Sequence, residues 1–285
     1  TTLLTFEHKD TKINLLDTPG FMDFYGEVKG SLRIADSILM VVDAVSGTQV
    51  STELIWEEAD KRNTARFVLI NRMDRENADY DKAFNSLKDT LTMDIVPVTI
   101  PIGAGESFSG IVDLIEMKAY TYENGKAKAI DIPADMEDEV ESYREMLIES
   151  AAAGDDDIME KYLDTMELTD AEIIKGLKGG IKKGELAPVF AGGSLANIGI
   201  DKVVDAICAY APNPLEAAEE IDPDAPFAAL IFKTMTDPYV GKISLFKVIQ
   251  GNFKAEGTIY NSTEELDEKI SSAGTMCGKT QIALN

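Results

Sequence analysis

The chain has 285 residues, 45% hydrophobic and 27% charged, which suits one large globular domain or two smaller ones. No run approaches the roughly 18 apolar residues of a membrane span, and Thr1 to Asp10 has neither the basic start nor the apolar core of an export signal. The net charge of −24 excludes a strong free nucleic-acid binder, which draws its affinity from basic groups on phosphates, and the two cysteines, Cys208 and Cys277, make no disulfide framework. A reducing cytoplasm is the economical setting.

The chain opens without an initiating Met on an apolar run, Leu3, Leu4 and Phe6, as if entering an existing fold. Ile13 to Leu16 reads as a strand ending at Asp17, and Phe24, Val28, Leu32 and Ala35 recur at helical spacing. The apolar run Ile38 to Val42, a helical pattern with Val50, Leu54 and Ile55, the strand Phe67 to Ile70 and a helix over 79–91 follow. Continuous apolar strands alternating with amphipathic helices predict a mostly parallel sheet covered on both faces.

The rhythm then changes. Residues 97–130 read as short strands with turns at Gly103, Gly105, Gly110 and Asn124-Gly125, and 134–183 as acidic helices. Residues 131–170 hold fifteen acidic side chains against Arg144 and Lys161, a local charge of −13. Such a run is read either as a solvated helical face or as a docking surface for a basic partner. Pro188 to Ala191 is one more buried strand, followed by a helix from Ile200 to Tyr210. The segment 97–187 is therefore an α+β insertion within an α/β domain spanning 1–214. Pro212, Pro214, Pro223 and Pro226 punctuate the acidic stretch that leads into and through a linker over 215–226. Over 227–285, Ala228 to Met235, Lys242 to Gln250 and Thr258 to Tyr260 alternate as the opening strands of an all-β domain.

Three short motifs stand at strand ends, where open α/β sheets bind ligands. Asp17-Thr18-Pro19-Gly20 supplies a carboxylate suited to a water-mediated Mg²⁺ and a glycine that lets a backbone N–H approach a terminal phosphate. Alone, Asp-x-x-Gly is equally a turn sequence. Asn71-Arg72-Met73-Asp74 offers a carboxylate that can accept from the ring N–H and exocyclic amine of guanine, donors that adenine lacks at those positions. Asn71 can tie neighbouring loops, and Arg72 can lie over the base. Ala191-Gly192-Gly193-Ser194-Leu195 can present a backbone N–H to the base oxygen. Each is weak alone; three in order at strand ends point to a guanine-nucleotide site.

The stretch Asn14 to Gly20, with Asp23-Phe24 and Glu27-Val28, resembles the switch II region of elongation factor G. Pro101-Ile102-Gly103, Gly110 to Ile115 and Met117-Lys118-Ala119 resemble the start of that family's insertion. Phe232-Lys233-Thr234, Thr236 to Lys242 and Gly251 resemble its barrel-shaped second domain. The resemblance implies a G domain of the phosphate-loop NTPase type, N-terminally incomplete, with an inserted subdomain and an incomplete barrel. It implies GTP or GDP and Mg²⁺ as cofactors, and ribosomal RNA and ribosomal proteins as partners of the intact protein. Its site residues are Asp17 and Gly20 for Mg²⁺ and the γ-phosphate, and Asn71, Arg72, Asp74, Gly193, Ser194 and Leu195 for the base. It also places the phosphate-binding loop upstream of residue 1. The chain alone is therefore expected not to hydrolyse GTP. The family carries His after Asp-Thr-Pro-Gly to orient the attacking water; Phe21 stands there, and a phenyl ring can neither donate to nor accept from that water. Gly193-Ser194 replaces the usual Ser-Ala pair, and Arg72 the usual Lys. The lone histidine, His8, reads as a surface residue. Ala273 to Thr280 mimics a phosphate-loop pattern, but the preceding run is acidic and only five residues follow, so it reads as a β-domain loop. Two other readings stay open: a non-catalytic guanine-nucleotide or protein-binding module, and a ribosome-protection or release-factor relative.

Overall fold

A computed structural model of the chain describes residues 1–217, 222, 224–238, 241–255, 257–270, 272–278 and 280–283. Pro223, Tyr239, Val240, Lys279 and linker positions 218–221 lie outside the described residues. In chain order come β1 (Thr2–His8), β2 (Thr11–Asp17), α1 (Tyr25–Leu32), β3 (Ser37–Asp43), α2 (Val50–Asp60), β4 (Ala65–Asn71) and α3 (Tyr80–Thr90). The short strands β5 (Asp94–Pro97), β6 (Thr99–Ile102), β7 (Gly110–Asp113), β8 (Lys118–Glu123) and β9 (Lys126–Ile130) follow. Next are α4 (Glu137–Ala153), α5 (Asp156–Thr165), α6 (Asp170–Lys183), β10 (Leu186–Ala191), α7 (Ile200–Tyr210) and α8 (Pro214–Ala217). The chain closes with β11 (Ala228–Asp237), β12 (Gly241–Gln250), β13 (Gly257–Asn261), β14 (Leu266–Ile270), β15 (Gly274–Cys277) and β16 (Thr280–Ala283).

Two compact units form: residues 36–217, and residues 1–35 together with 218–285. The larger unit holds a four-stranded parallel sheet in the order β3-β4-β10-β5. Its inner strands β4 and β10 are apolar runs buried almost throughout, as expected when helices cover both faces. Beside it lies the antiparallel sheet β6-β7-β8-β9, whose first strand follows directly on β5. Helices α4 and α6 cross closely because glycines leave room: a Cβ at Gly176 would stand 2.0 Å from the Ala151 carbonyl oxygen. Of the fifteen acidic residues in 131–170, only Asp155 is not exposed, and Lys175 pairs with it at 2.9 Å.

The smaller unit corrects one expectation. The strand ending at Asp17 does not join the parallel sheet; β2 pairs antiparallel with β1, from Thr2↔Asp17 to His8↔Thr11. The turn is two residues, Lys9 and Asp10, with φ of 45° and 58°, the left-handed pair of a tight hairpin whose twist matches its strands. Both strands are half-exposed rather than buried, with His8 at the rim. The Gly278 N–H donates to the Leu3 carbonyl at 2.6 Å, and Lys233 pairs with Glu27 of α1 at 2.6 Å. These contacts group residues 1–35 with the C-terminal strands. β11 and β12 pair antiparallel where the sequence predicts strands. β15 and β16, which hold most of the described residues of the segment mimicking a phosphate loop, pair antiparallel, with no helix after them among the described residues. Among the described residues no helix is long and apolar enough to cross a membrane.

Candidate functional site

The loop after β4 and the loop after β10 meet at the C-terminal edge of the parallel sheet. Neighbouring parallel strands put Asn71 and the residues after Ala191 side by side. Backbone bonds align the loops first: Gly192 N–H donates to Ile70 O at 3.0 Å, and Met73 N–H to Gly192 O at 3.2 Å. The Asn71 amide then clamps Ser194 with both ends. Its Oδ1 accepts the Ser194 N–H at 2.9 Å, and its Nδ2 donates to Ser194 Oγ at 3.1 Å. The serine hydroxyl, displaced by one position from the family pattern, thus becomes part of the loop tie.

Asp74 stands beside Gly193. A Cβ at Gly193 would lie 3.3 Å from Asp74 Oδ1 and 3.0 Å from Phe108 Cε1, so the missing side chain keeps a slot open next to the carboxylate. Among the described residues the Asp74 carboxylate has no hydrogen-bond donor, although it is half-buried. The Gly193 N–H is taken by Ile198 O at 3.0 Å and the Ser194 N–H by Asn71. That leaves the Leu195 and Ala196 N–H groups without an acceptor among the described residues, and Leu195 is 81% exposed. A free planar carboxylate, a slot and an unpaired N–H form the donor–acceptor set that a guanine edge requires. The residues fit the base.

Arg72 has a φ of 65° and aims its side chain at Asp43, the last residue of β3, with Nη1 2.8 Å from Oδ2. Burial, the largest influence on Asp43, pushes its carboxyl up. The Val45 N–H, the Arg72 guanidinium and the Ser46 N–H outweigh it and hold the carboxyl below its ordinary value. Asp43 was not singled out from the sequence, although it carries the same signal as Asp17: a carboxylate closing an apolar strand.

Asp17, Gly20 and Phe21 belong to the smaller unit, and Asn71, Arg72, Asp74 and residues 193–195 to the larger one. Asp17 ends β2 with an exposed side chain, nothing stands within 4 Å of a Cβ at Gly20, and Phe21 is 78% exposed. Among the described residues no group of three metal-ligating side chains forms. One carboxylate fits Mg²⁺, which keeps several waters and takes other ligands from phosphates. A cleft of about 550 Å³ in the larger unit, lined by Asp79, Tyr80, Gly103, Met136 and Glu139, shares only Met73 with residues 71–74 and 191–195.

Loops that converge at the C-terminal edge of a parallel sheet stand where open α/β domains bind their ligands. A family model, the elongation factor Tu GTP binding domain, matches residues 1–213. The chain belongs to that family. The resemblance to elongation factor G read from its motifs agrees with that membership. A crystal structure of a Thermus thermophilus protein is similar at 28% identity with a TM-score of 0.89, over 99% of this chain and 42% of that one. The chain thus spans less than half the length of that relative.

Proposed function

We propose that the chain carries the guanine-reading part of an elongation factor G-like translational GTPase that hydrolyses GTP together with the ribosome. The observation that carries this reading is the two-ended Asn71–Ser194 clamp, which holds the open Asp74 carboxylate and the free Leu195 N–H along one loop pair. In this reading Asp74 accepts from the ring N–H and exocyclic amine of guanine, and the Leu195 N–H donates to the base oxygen. Arg72, anchored on Asp43, covers the base face. Asp17 serves Mg²⁺ through water, and the Gly20 N–H serves the γ-phosphate; the metal neutralises charge on the phosphates. Residues 1–214 make the GTP-binding domain with 97–187 inserted, 215–226 the linker, and 227–285 the second domain. Family membership supports ribosomal RNA and ribosomal proteins as partners and a cytoplasmic setting. The experiment is fluorescent GDP binding to the full-length protein with GDP or ADP as competitor. Displacement by GDP alone is expected, and equal displacement by ADP overturns the reading.

Phe21 favours a second reading, in which the protein binds GTP but hydrolyses it slowly or with outside help. Its exposed phenyl ring offers no proton acceptor or donor to a water. Phe21→His in the full-length protein is expected to raise ribosome-stimulated phosphate release by about a hundredfold or more, the contribution of a positioned acid–base group. An unchanged rate removes position 21 from the chemistry.

A further inference from the structure

The inserted sheet β6–β9 touches both base-reading loops and the helix that follows them, all within the larger unit. The Gly105 N–H donates to Met73 O at 2.8 Å, inside the Asn71–Asp74 loop. Phe108 forms one wall of the slot at Gly193. Asn197 Nδ2 donates to Gly125 O in the β8–β9 turn at 3.4 Å. Tyr122 of β8 donates its hydroxyl to Asp201 Oδ1 at 2.6 Å, on the first turn of α7. The next residue, Lys202, pairs with Asp113 of β7 at 2.8 Å and Glu116 at 3.1 Å, over the Tyr120 ring.

The last two ties are strong in kind. Lys202 and Asp113 are nearly enclosed, at 13% and 9% exposure, so neither charge can turn to water if the other moves. The loop they anchor has little slack. It is pinned at Gly193 and Ile198 by two reciprocal backbone bonds. Gly199, with φ of 77°, turns it into α7, and a Cβ there would strike Ala191 O at 2.5 Å. A shift of the first turn of α7 therefore moves Ser194 and Leu195.

We infer that the inserted sheet is the frame that sets the base pocket, and that Tyr122 and Lys202 are positioning residues through which the insertion controls nucleotide affinity. The inference rests on the guanine reading above. Because affinity changes are reciprocal, a partner that displaces the inserted sheet changes nucleotide release, and nucleotide binding changes the partner's affinity. The frame acts on the loop that faces the base oxygen, a group common to guanine and hypoxanthine. Its loss therefore lowers GDP and IDP binding in parallel, unlike a change at Asp74.

The test is the dissociation rate of fluorescent GDP and IDP from the full-length protein, which does not depend on the folded fraction. Tyr122→Phe, Asp201→Asn and Lys202→Met are expected to speed release of both nucleotides roughly fivefold, a coupling typical of residues remote from the ligand. Lys202→Arg is expected to restore the wild-type rate. Wild-type rates in folded Tyr122→Phe and Asp201→Asn overturn the inference, as does a change in the GDP-to-IDP ratio. Failure of the wild-type protein to bind either nucleotide overturns the guanine reading itself.

Discussion

In the proposed function Asp74 carries base selection in one carboxylate, and its surroundings suit that role. It meets no donor among the described residues, and Gly193 leaves the space beside it empty. Asp74→Asn keeps the shape but turns one acceptor into a donor. Guanine's exocyclic amine then faces an amide N–H, while the carbonyl of xanthine gains a partner. The expected result is a fall of about tenfold or more in GDP affinity and a gain for XDP, the size of one hydrogen bond lost to an unpaired buried group. Competition of the two nucleotides against fluorescent GDP checks it; an unchanged ratio means that Asp74 does not read the base. The sequence made Asn71, Asp74 and the 191–195 loop visible because each closes an apolar strand. It hid which N–H groups stay open, since the Asn71 clamp consumes the Ser194 N–H and leaves those of Leu195 and Ala196 without an acceptor among the described residues. Asp43 was hidden too, because its role needs Arg72, twenty-nine residues away in sequence, to reach it.

Helices and strands were more legible than their partners. The helical spacing that ends at Tyr210 matches α7, and the pattern over 79–91 matches α3, because amphipathic periodicity is local. Strand pairing is not local: the hairpin at Lys9-Asp10 lacks the usual Asn-Gly signature, so β2 read as a member of the parallel sheet. Element contacts also predict energetics. Gly176→Ala places a methyl 2.0 Å from Ala151 O, where α4 and α6 touch backbone to backbone. The helices must separate, at a cost of about 1–3 kcal/mol, measurable as a lower denaturation midpoint of the larger unit. The tie between α1 and β11 is electrostatic instead. Lys233 is the main cause that lowers Glu27 from 4.5 to about 2. A depressed carboxylate stabilises the fold above its ordinary value and loses that contribution as pH falls toward the folded value. The stability difference between wild type and Glu27→Gln should therefore hold at pH 7 and shrink between about pH 4.5 and 2. Denaturant titrations at pH 7, 4 and 3 check it, and a difference that grows on acidification contradicts the pairing.

The whole chain carries −24, and the fourteen exposed acids of residues 131–170 gather much of it on the inserted helices. Few cations offset them: Lys161 is held by Glu172 at 2.6 Å, and Arg144 is committed to the Leu114 and Ile115 carbonyls and Asp170. Like charges at this density repel across distances comparable with the Debye length, about 10 Å at 0.1 M salt. The folded chain gathers them more closely than an expanded one does, so screening favours the folded state. Raising salt from about 0.02 to 0.5 M, which shortens the Debye length severalfold, should therefore raise the melting temperature of the chain by a few degrees. If ion pairs such as Lys161–Glu172 outweighed the repulsion, salt would lower it. The same field sets the behaviour toward RNA. An unspecific binder weakens with salt because it releases counterions, whereas this chain sets 27 Lys and Arg against 51 Asp and Glu. Filter binding of ribosomal RNA to the isolated chain should show no retention at about 0.15 M salt, where the Debye length is near 8 Å. Retention that falls steeply with added salt would reveal a basic surface that the net charge conceals.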